Sequence, residues 1–461
     1  MTERQGKSMV QIAQDIASGQ LTSEGVCADL CDAIEAASDL NAYSFFDRTA
    51  LMDQAKEADV AQNLGKSRGP LHGVPLILKD NINTTSLPTS GGTPALLGNN
   101  PGSNAPIAAR LFQAGALLAG KANMHELSAG GTSANHTFGP VRNPYDKART
   151  PGGSSGGTAA AIAAGIAPAG LGTDTAGSVR VPAALCGIYG FRPSTGRYGA
   201  DGIVPLSRTQ DTAGPLASTI DDIILLDSIL AEKAVTVKPC SIGELRIGIA
   251  TTFMDSSTPA VVQVIEAAFD RLAKAGVTFV PVDLAPLRDR QLAASAGVID
   301  TEFPSVTKDY LQAYAPHLTI EALIDQVASP SVKSFLLERL EKPSDAEAYA
   351  TATGKGLSAY QDAWKSILDD HQLDAVAFPT TPDEALPLAQ DDSVIKDGKV
   401  VFSWFYFRHT GPGSTGQRPG ISIPAGFSQN GLPVGLELDG LPGEDEALLA
   451  VAKAISEGLS S

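Results

Sequence analysis

Residues 150–182 contain two glycine-rich loops, and each loop carries serine hydroxyls that could act as nucleophiles. The first loop, residues 152–157, reads Gly-Gly-Ser-Ser-Gly-Gly, and the second, residues 172–178, ends at Ser178. Glycine-rich backbone adopts conformations that other residues avoid, so it can bring main-chain N–H groups close to a ligand. Four consecutive amides lead up to Ser178, an arrangement that favours an oxyanion hole beside a nucleophile. Either loop taken alone is equally compatible with an ordinary turn.

Two neighbouring segments add a helix end and a candidate base. Residues 158–165 are nearly all alanine and predict a short, closely packed helix. Its N-terminus would point toward the serines and favour a developing anion there. Upstream, residues 71–78 predict a buried strand with Lys79 at its exit. Lysine at a strand end is commonly a solvated terminator, but burial lowers the pKa of an amine and would make Lys79 a base at neutral pH.

Taken together, these motifs resemble the amidase signature family. The resemblance rests on Gly73-Val74-Pro75, on Lys79-Asp80-Asn81, on the Gly-Gly-Ser-Ser-Gly-Gly loop and on a G-T-D-x-x-G-S-x-R-x-P run that ends at Pro182. It covers residues 73–217 and 378–438, which include the segments that carry the serines and the lysine. The combination of motifs is specific, whereas no single motif would be.

The resemblance implies a catalytic triad of serine, cis-serine and lysine. In this sequence Ser178 would be the nucleophile, Ser154 the bridging serine after a cis peptide bond, and Lys79 the base. Histidine is not required for such chemistry, since serine–lysine variants of the triad work without it. The oxyanion hole would consist of the main-chain N–H groups of Thr175, Ala176, Gly177 and Ser178.

Three further side chains are expected to support this centre. We expect Ser155 to hydrogen bond across the loops, Asp174 to orient main-chain amides, and Arg180 to pair with a buried carboxylate. The family commonly has two glycines before the nucleophile, whereas Ala176 occupies the first of these positions here. If that position requires a positive φ, the methyl group costs about 1 kcal/mol.

The rest of the chain predicts an α/β fold. A capping box at Ser8 opens a predicted helical hairpin over residues 8–37, and residues 245–282 predict a β-α-β unit without a dinucleotide-binding fingerprint. No linker or repeat divides the chain, so we expect one α/β/α domain over residues 1–461. The resemblance implies a large mixed sheet flanked by helices. Residues 383–399 are predicted to form a long surface loop, and whether it acts as a lid stays open.

The amino-acid composition limits the kinds of partner that the protein is expected to bind. A net charge of -17 without a basic cluster argues against nucleic acid and against anionic membrane surfaces. The N-terminus lacks the apolar core of a secretory signal, and no segment is apolar enough to span a bilayer, so we expect a cytoplasmic protein. Four irregularly spaced cysteines, with Cys27 and Cys31 one helical turn apart, predict buried packing and no metal site. No cofactor is expected, and the oligomeric state stays open, with a homodimer compatible.

The substrate class follows from two further stretches. Residues 191–205 and 410–426 resemble the family branch that contains mandelamide and indoleacetamide hydrolases, which implies a small, aryl-substituted primary amide that releases ammonia. Gln417 and Arg418 stand where that branch would have small and aliphatic residues, so Arg418 is a candidate substrate-binding residue that recognises a carboxylate or, alternatively, faces water. A glutaminase-type A subunit of a tRNA-dependent amidotransferase is the alternative function.

Overall fold

The computed structural model describes residues 6–231 and 236–460. Residues 1–5, 232–235 and 461 of the predicted single domain lie outside this described part. The helices are α1 (Met9–Ala17), α2 (Ser23–Ala36), α3 (Arg48–Asn63), α4 (Pro106–Gln113), α5 (Gly156–Ala163), α6 (Arg180–Cys186), α7 (Ile220–Leu230), α8 (Thr251–Asp255), α9 (Pro259–Lys274), α10 (Arg288–Ser295), α11 (Val298–Tyr314), α12 (Ile320–Asp325), α13 (Pro330–Glu341), α14 (Ala346–Thr351), α15 (Leu357–His371), α16 (Gly411–Thr415) and α17 (Asp445–Ser460).

Eleven of the strands form one mixed sheet. The strands are β1 (Tyr43–Phe45), β2 (Pro75–Lys79), β3 (Leu117–Ala122), β4 (Ala134–Asn135), β5 (Gly139–Pro140), β6 (Ala169–Asp174), β7 (Tyr189–Arg192), β8 (Thr212–Ala217), β9 (Arg246–Ala250), β10 (Thr278–Val282), β11 (Ala375–Pro379), β12 (Ser393–Lys396), β13 (Lys399–Phe402), β14 (Gly420–Phe427) and β15 (Pro433–Asp439). The sheet order is β1-β3-β2-β6-β8-β7-β14-β15-β11-β9-β10. β2 runs parallel to β3 and β6, whereas β8 runs antiparallel to β6.

Both faces of the sheet are covered by helices. In β2, Leu76 and Leu78 belong to the apolar cluster under α1, α4 and α7, whereas Ile77 belongs to the cluster under α2, α3 and α5. In β11, Val376 and Phe378 pack against α15 on the face opposite α9. Since successive side chains of a strand point to opposite faces, β2 and β11 must be apolar on both sides. The predicted α/β/α fold with a large mixed sheet is confirmed.

The N-terminal helices begin where their caps indicate. The Ser8 hydroxyl accepts the main-chain N–H of Gln11, and the Gln11 side chain accepts the N–H of Ser8, which completes the predicted capping box. α1 packs against α7, and α2 packs against α3, so the two helices cover different parts of the molecule. Cys27 and Cys31 are buried on the inner face of α2, as expected for packing residues.

The surface-loop prediction for residues 383–399 is correct only in part, because residues 397–399 are exposed whereas residues 383–385 and 392–394 are buried. Part of the segment forms a hairpin from β12 and β13, and Val394 and Asp392 are completely buried. The Asp392 carboxylate accepts hydrogen bonds from the Gly131 main-chain N–H at 3.0 Å and from the Ser403 hydroxyl at 2.5 Å. Acidic residues usually indicate solvent exposure, but here the carboxylate is satisfied by distant groups that the local sequence does not reveal. In the part of the chain that the structure describes, no helix is long and apolar enough to cross a membrane.

Helix α5 is tightly enclosed beside the serines. Its residues from Gly156 to Ile162 are all buried, and it contacts β2, β3, β6 and β8. A side chain at Gly157 would have no room, because a Cβ there would lie 2.1 Å from the Asn123 carbonyl oxygen and 2.6 Å from that of Ala42. Helix α5 therefore requires small residues, because only small residues let it approach the sheet so closely.

We expect Gly157→Ala to lower the free energy of unfolding by about 1–3 kcal/mol, because the methyl group must displace main-chain atoms. Urea denaturation measures this loss. Gly354→Ala is the matched control, since a Cβ at Gly354 meets no atom within 4 Å. Equal midpoints for both variants and the parent would contradict the packing argument.

Candidate active site

Lys79 ends strand β2, which is the third strand in the sheet order. Because β2 and β6 are parallel, their carboxyl ends meet at one edge, which places Lys79 beside Thr173. The Lys79 Nζ lies 2.7 Å from the Ser154 Oγ and 2.7 Å from the Thr173 Oγ1. The lysine is completely buried. The structure thus brings together the lysine and the first serine that the sequence singled out.

The surroundings of Lys79 favour the neutral amine. Burial lowers the pKa of Lys79 from its usual value of 10.5 to about 7, and the negative charges of Asp211 and Asp174 only partly oppose this shift. Both hydrogen-bond partners among the described residues are hydroxyls, which can donate to an uncharged nitrogen as well as accept from a charged one. An amine in this state can accept a proton near neutral pH.

A second buried lysine, which sequence reasoning missed, shows the opposite arrangement. The Lys121 Nζ donates to the main-chain oxygens of Ile82 at 2.8 Å and Pro88 at 3.1 Å. It donates a third bond to the Thr89 hydroxyl at 2.8 Å. The two carbonyl oxygens only accept, and together with the Thr89 hydroxyl they match the three N–H donors of an ammonium ion. Burial lowers the pKa of Lys121 to about 8, and the Asp80 carboxylate at 3.6 Å opposes this shift. The surroundings of Lys121 therefore favour the ammonium form more than the two hydroxyls around Lys79 do.

The first serine loop is held from several sides. The peptide bond between Gly153 and Ser154 is cis, as the resemblance implies. The Ser154 carbonyl accepts the His125 main-chain N–H at 3.1 Å. Ser155 hydrogen bonds to strand β6 in both directions, through its hydroxyl to the Thr173 carbonyl at 3.2 Å and from the Thr173 N–H at 3.3 Å. The Ser155 N–H also donates to the Ser178 carbonyl at 3.2 Å, which joins the two loops.

In the second loop, the carbonyl groups of Ala176 and Gly177 accept hydrogen bonds, whereas the N–H groups of residues 175–178 remain available as donors. The Ala176 oxygen accepts the Thr410 hydroxyl at 2.7 Å, and the Gly177 oxygen accepts the Val181 N–H at 2.8 Å. Within residues 6–231 and 236–460, the main-chain N–H groups of residues 175–178 have no acceptor. Four unoccupied donors in sequence are what an oxyanion hole requires.

The alanine in this loop causes no strain. Positive φ falls on Gly177, with φ of +142°, and Ala176 is outside the left-handed region. A Cβ at Gly177 would lie 2.1 Å from the Thr410 Oγ1, so glycine is needed at that position alone. The cost that the sequence suggested for Ala176 therefore does not arise.

Helix α5 begins directly after Ser155, but its first N–H groups are occupied. The Gly156 N–H donates to the Ser133 hydroxyl at 3.0 Å, and the Gly157 N–H donates to the Asn123 carbonyl at 3.0 Å. The helix end thus contributes its dipole near the serines rather than direct hydrogen bonds to an anion. The main-chain N–H groups of residues 175–178 therefore remain the candidate donors to an oxyanion.

A buried charge network anchors the second loop. Arg180 donates to both oxygens of Asp174 at 3.1 Å and to the Glu437 carboxylate at 2.9 Å. Arg192 donates to the main-chain oxygen of Asp174 at 2.6 Å and to its carboxylate at 3.0 Å. Burial acts to raise the pKa of Asp174, but the two arginines hold it well below its usual range. The Asp174 carboxylate also accepts the Val179 N–H at 3.2 Å, so it pairs with the arginines and orients the backbone as well.

Asp211 is a further carboxylate at the site that sequence reasoning missed. It accepts the Thr175 hydroxyl at 2.6 Å and the main-chain N–H groups of Leu206 and Ser207 at 2.7 and 2.9 Å. Burial raises the pKa of Asp211 despite these hydrogen bonds. Asp211 thereby fixes the first residue of the candidate oxyanion loop. No local pattern marks it, because it reaches Thr175 only through the pairing of β6 with β8.

An open cleft of about 480 Å³ borders this loop at Ala176. Val298, Ile299 and Phe407 form the apolar part of the cleft, whereas Gln210, Asp300, Arg339 and Arg408 make the rest of its lining polar. The walls come from segments far apart in sequence that meet above the carboxyl edge of the sheet. Ligand sites in α/β proteins commonly lie at this edge.

The structure places Gln417 and Arg418 away from the two serine loops. Arg418 is only 2% exposed, so the alternative in which it faces water is excluded. Its Nη2 donates to the Asp439 carboxylate at 3.1 Å, and its Cζ lies 3.7 Å from the centroid of the Trp364 ring. Gln417 has a positive φ of 57° and donates to the Thr209 carbonyl at 3.1 Å. A small residue would suit this backbone better, and the side-chain hydrogen bond offsets part of the difference.

We expect Arg180→Met to lower the free energy of unfolding by about 3–5 kcal/mol, because it leaves Asp174 and Glu437 buried without their shared partner. Arg48→Met is the matched control, since Arg48 forms ion pairs that are exposed to solvent and should change stability by less than about 1 kcal/mol. Chemical denaturation compares the two. A loss for Arg180→Met no larger than that of the control would contradict the anchoring role.

The comparisons with known proteins agree with this geometry. The amidase family model matches residues 26–449. The chain is similar to an indoleacetamide hydrolase of Agrobacterium vitis, with 40% identity over 442 residues and 94% of each chain covered. It is also similar to a mandelamide hydrolase of Pseudomonas putida, with 38% identity, 91% of this chain and 84% of the relative covered. The structure of peptide amidase from Stenotrophomonas maltophilia superposes with a TM-score of 0.84 at 27% identity, with 100% of this chain and 98% of that chain covered. This chain therefore belongs to the amidase signature family and is an amide-hydrolysing enzyme.

Proposed function

We propose that the enzyme hydrolyses a small, aryl-substituted primary carboxamide to a carboxylate and ammonia through an acyl-enzyme on Ser178. One observation carries the proposal: a completely buried Lys79 lies 2.7 Å from the Ser154 Oγ, with its pKa lowered to about 7. A neutral amine next to a bridging hydroxyl can activate a serine without histidine.

In the acylation step, the Ser178 Oγ attacks the amide carbon while its proton passes to the Ser154 Oγ. The Ser154 proton moves at the same time to the Lys79 Nζ, so one ammonium ion and one tetrahedral oxyanion form. The N–H groups of residues 175–178 hydrogen bond to the oxyanion. Ser154 then gives a proton to the leaving nitrogen and recovers one from Lys79, so that ammonia departs and the Ser178 ester remains.

Deacylation follows the same proton route with water in place of Ser178. Water attacks the ester carbon, and its proton passes through Ser154 to Lys79. When the tetrahedral intermediate collapses, the proton returns to the Ser178 Oγ and the carboxylic acid leaves. The acid ionises in solvent, so the products are a carboxylate and ammonia. The same neutral amine therefore serves both half-reactions.

Two observations support an aryl-substituted acyl group. The relatives similar to this chain include hydrolases of indoleacetamide and mandelamide, both of which carry an aromatic ring. The apolar part of the cleft beside Ala176, formed by Val298, Ile299 and Phe407, suits a ring near the acyl carbon. The amide end of the substrate would face the loop of unoccupied N–H donors.

We expect Ser178→Ala to abolish ammonia release from phenylacetamide, indole-3-acetamide and mandelamide while the purified wild-type chain hydrolyses at least one of them. Cys186→Ala is the control, since the Cys186 thiol is buried, donates to the Pro151 carbonyl at 3.4 Å and has its pKa raised by burial. That variant should keep its turnover. Wild-type turnover by Ser178→Ala would refute the nucleophile, and hydrolysis of glutamine alone would favour the amidotransferase subunit instead.

We expect kcat/KM for an uncharged amide to rise with pH through a midpoint near 7. Below the pKa of Lys79 the amine is protonated and cannot accept the serine proton, so the rate should fall about tenfold per pH unit. Above it, the neutral amine predominates and the rate should level off. Steady-state rates measure the profile, and activity restored on return to alkaline buffer controls for unfolding. A profile without an acidic limb would remove Lys79 as the base.

A further inference from the structure

We propose that the side-chain amide of Gln210 binds the carboxamide nitrogen of the substrate and thereby favours amides over esters. Gln210 lies in the segment between β7 and β8, and it lines the cleft that borders Ala176. The inference deepens the proposed function and rests on its primary-amide substrate. It adds a contact for the leaving group to the N–H groups that are the candidate donors to the carbonyl oxygen.

The first observation is a buried amide without a partner in the protein. Gln210 is only 8% exposed. Its main-chain oxygen accepts from the Arg192 Nη2 at 2.8 Å, and its main-chain N–H donates to the Ser207 hydroxyl at 3.3 Å. Its side-chain amide has no hydrogen-bond partner among the described residues, and both polar atoms of this amide keep accessible surface. Buried amides normally have partners, so the amide is available to a ligand in the cleft.

The second observation is the strand register, which places this amide beside the candidate oxyanion loop. β6 and β8 run antiparallel, and the last pair in their register is Asp174 with Thr212. Two residues beyond this pair lie Ala176 on one segment and Gln210 on the other, so the continued register sets them opposite each other. Arg192 joins the two segments, because it donates to the main-chain oxygens of Asp174 at 2.6 Å and of Gln210 at 2.8 Å.

The third observation is the rigidity of the segment that carries Gln210. The Asp211 carboxylate accepts the main-chain N–H of Ser207 at 2.9 Å. The Glu302 carboxylate accepts the Ser207 hydroxyl at 2.5 Å and the Thr209 N–H at 3.1 Å. A side chain on a backbone held in this way loses little freedom when a substrate binds, so its hydrogen bond contributes more to binding.

The choice of substrate atom follows from what the candidate oxyanion loop can offer. The N–H groups of residues 175–178 are donors and match the carbonyl oxygen of the substrate. The carbonyl groups of Ala176 and Gly177 already accept hydrogen bonds within the protein. The N–H groups of a primary carboxamide therefore need an acceptor from another segment, because a buried donor without a partner is costly. The side-chain oxygen of Gln210 is such an acceptor.

A contact at this atom would also help ammonia to depart. When Gln210 accepts one N–H of the substrate, the orientation of the nitrogen is fixed, and its lone pair can be aligned with the proton that Ser154 supplies. An ester has no N–H group and cannot use this contact. Gln210 should therefore accelerate amide hydrolysis without accelerating ester hydrolysis.

The test compares an amide and an ester of the same acid. Phenylacetamide and 4-nitrophenyl phenylacetate form the same acyl-enzyme, but only the amide carries N–H groups. Gln210→Met keeps the length of the side chain and removes its hydrogen bonds. We expect this variant to lower kcat/KM for the amide about tenfold, which corresponds to about 1.4 kcal/mol. The value for the ester should stay within about twofold of the wild type.

Gln291→Met is the matched control, since Gln291 lines the same cleft but its amide already donates to the Thr415 hydroxyl at 3.4 Å. This variant should keep the amide-to-ester ratio of the wild type. Gln210→Leu repeats the loss of the amide with a different shape, and ester hydrolysis by each preparation shows that it is folded. If the wild type hydrolyses only a different primary amide, the proposed aryl class fails. The comparison is then made with that amide and the 4-nitrophenyl ester of its acid.

Three results would overturn the proposal. Unchanged amide hydrolysis by Gln210→Met and Gln210→Leu would show that the side chain does not contact the nitrogen. An equal loss for the amide and the ester would mean that Gln210 only shapes the cleft. A loss confined to mandelamide would place the side chain at the hydroxyl group of the acyl part instead.

Discussion

The burial of the Lys79 amine away from water is the constraint on which the rest of the site depends. Lys79 is completely buried, and its nearest partners are hydroxyls rather than carboxylates. Desolvation without a paired anion destabilises the ammonium form, so the fold itself sets the pKa that acid–base chemistry needs. The close packing of α5 on the central strands maintains that desolvation, because glycine and alanine leave no space for water. Lys121, one strand away, shows that burial alone does not decide the outcome, since the Asp80 carboxylate at 3.6 Å opposes the effect of burial on its pKa and two carbonyl oxygens accept from its N–H groups.

The candidate oxyanion loop is shaped by what its carbonyl groups bind. Arg192 holds the Asp174 carbonyl, Thr410 holds that of Ala176, and Ser155 holds that of Ser178. With the carbonyl groups fixed in this way, the N–H groups of the loop have no acceptor in the described chain and are oriented in advance of any substrate. Preorganised donors stabilise a developing charge without the cost of reorganisation during the reaction.

The charged residues that support the site come from distant parts of the chain and form ion pairs with one another. Arg180 joins Asp174 to Glu437, and Asp439 lies close enough to this pair to connect it with Arg418. Removing Arg180 would leave the buried Glu437 carboxyl without the arginine that donates to it, which makes such a network costly to disturb at this point.

The sequence by itself determined the family resemblance, both glycine-rich loops, the neutral-lysine hypothesis and the α/β fold class, because each depends on local composition or on motifs of fixed spacing. It also identified the capping box at Ser8 and the pairing of Arg180 with a carboxylate. Tertiary structure alone decided the rest. Asp211 reaches Thr175, and Asp392 reaches Gly131, through strand pairing and chain crossings that no local pattern encodes. For the same reason, the burial of Arg418 against Trp364 and the burial of Asp392 could not be read from their polar side chains: whether a charge is solvated depends on which distant segments fold over it.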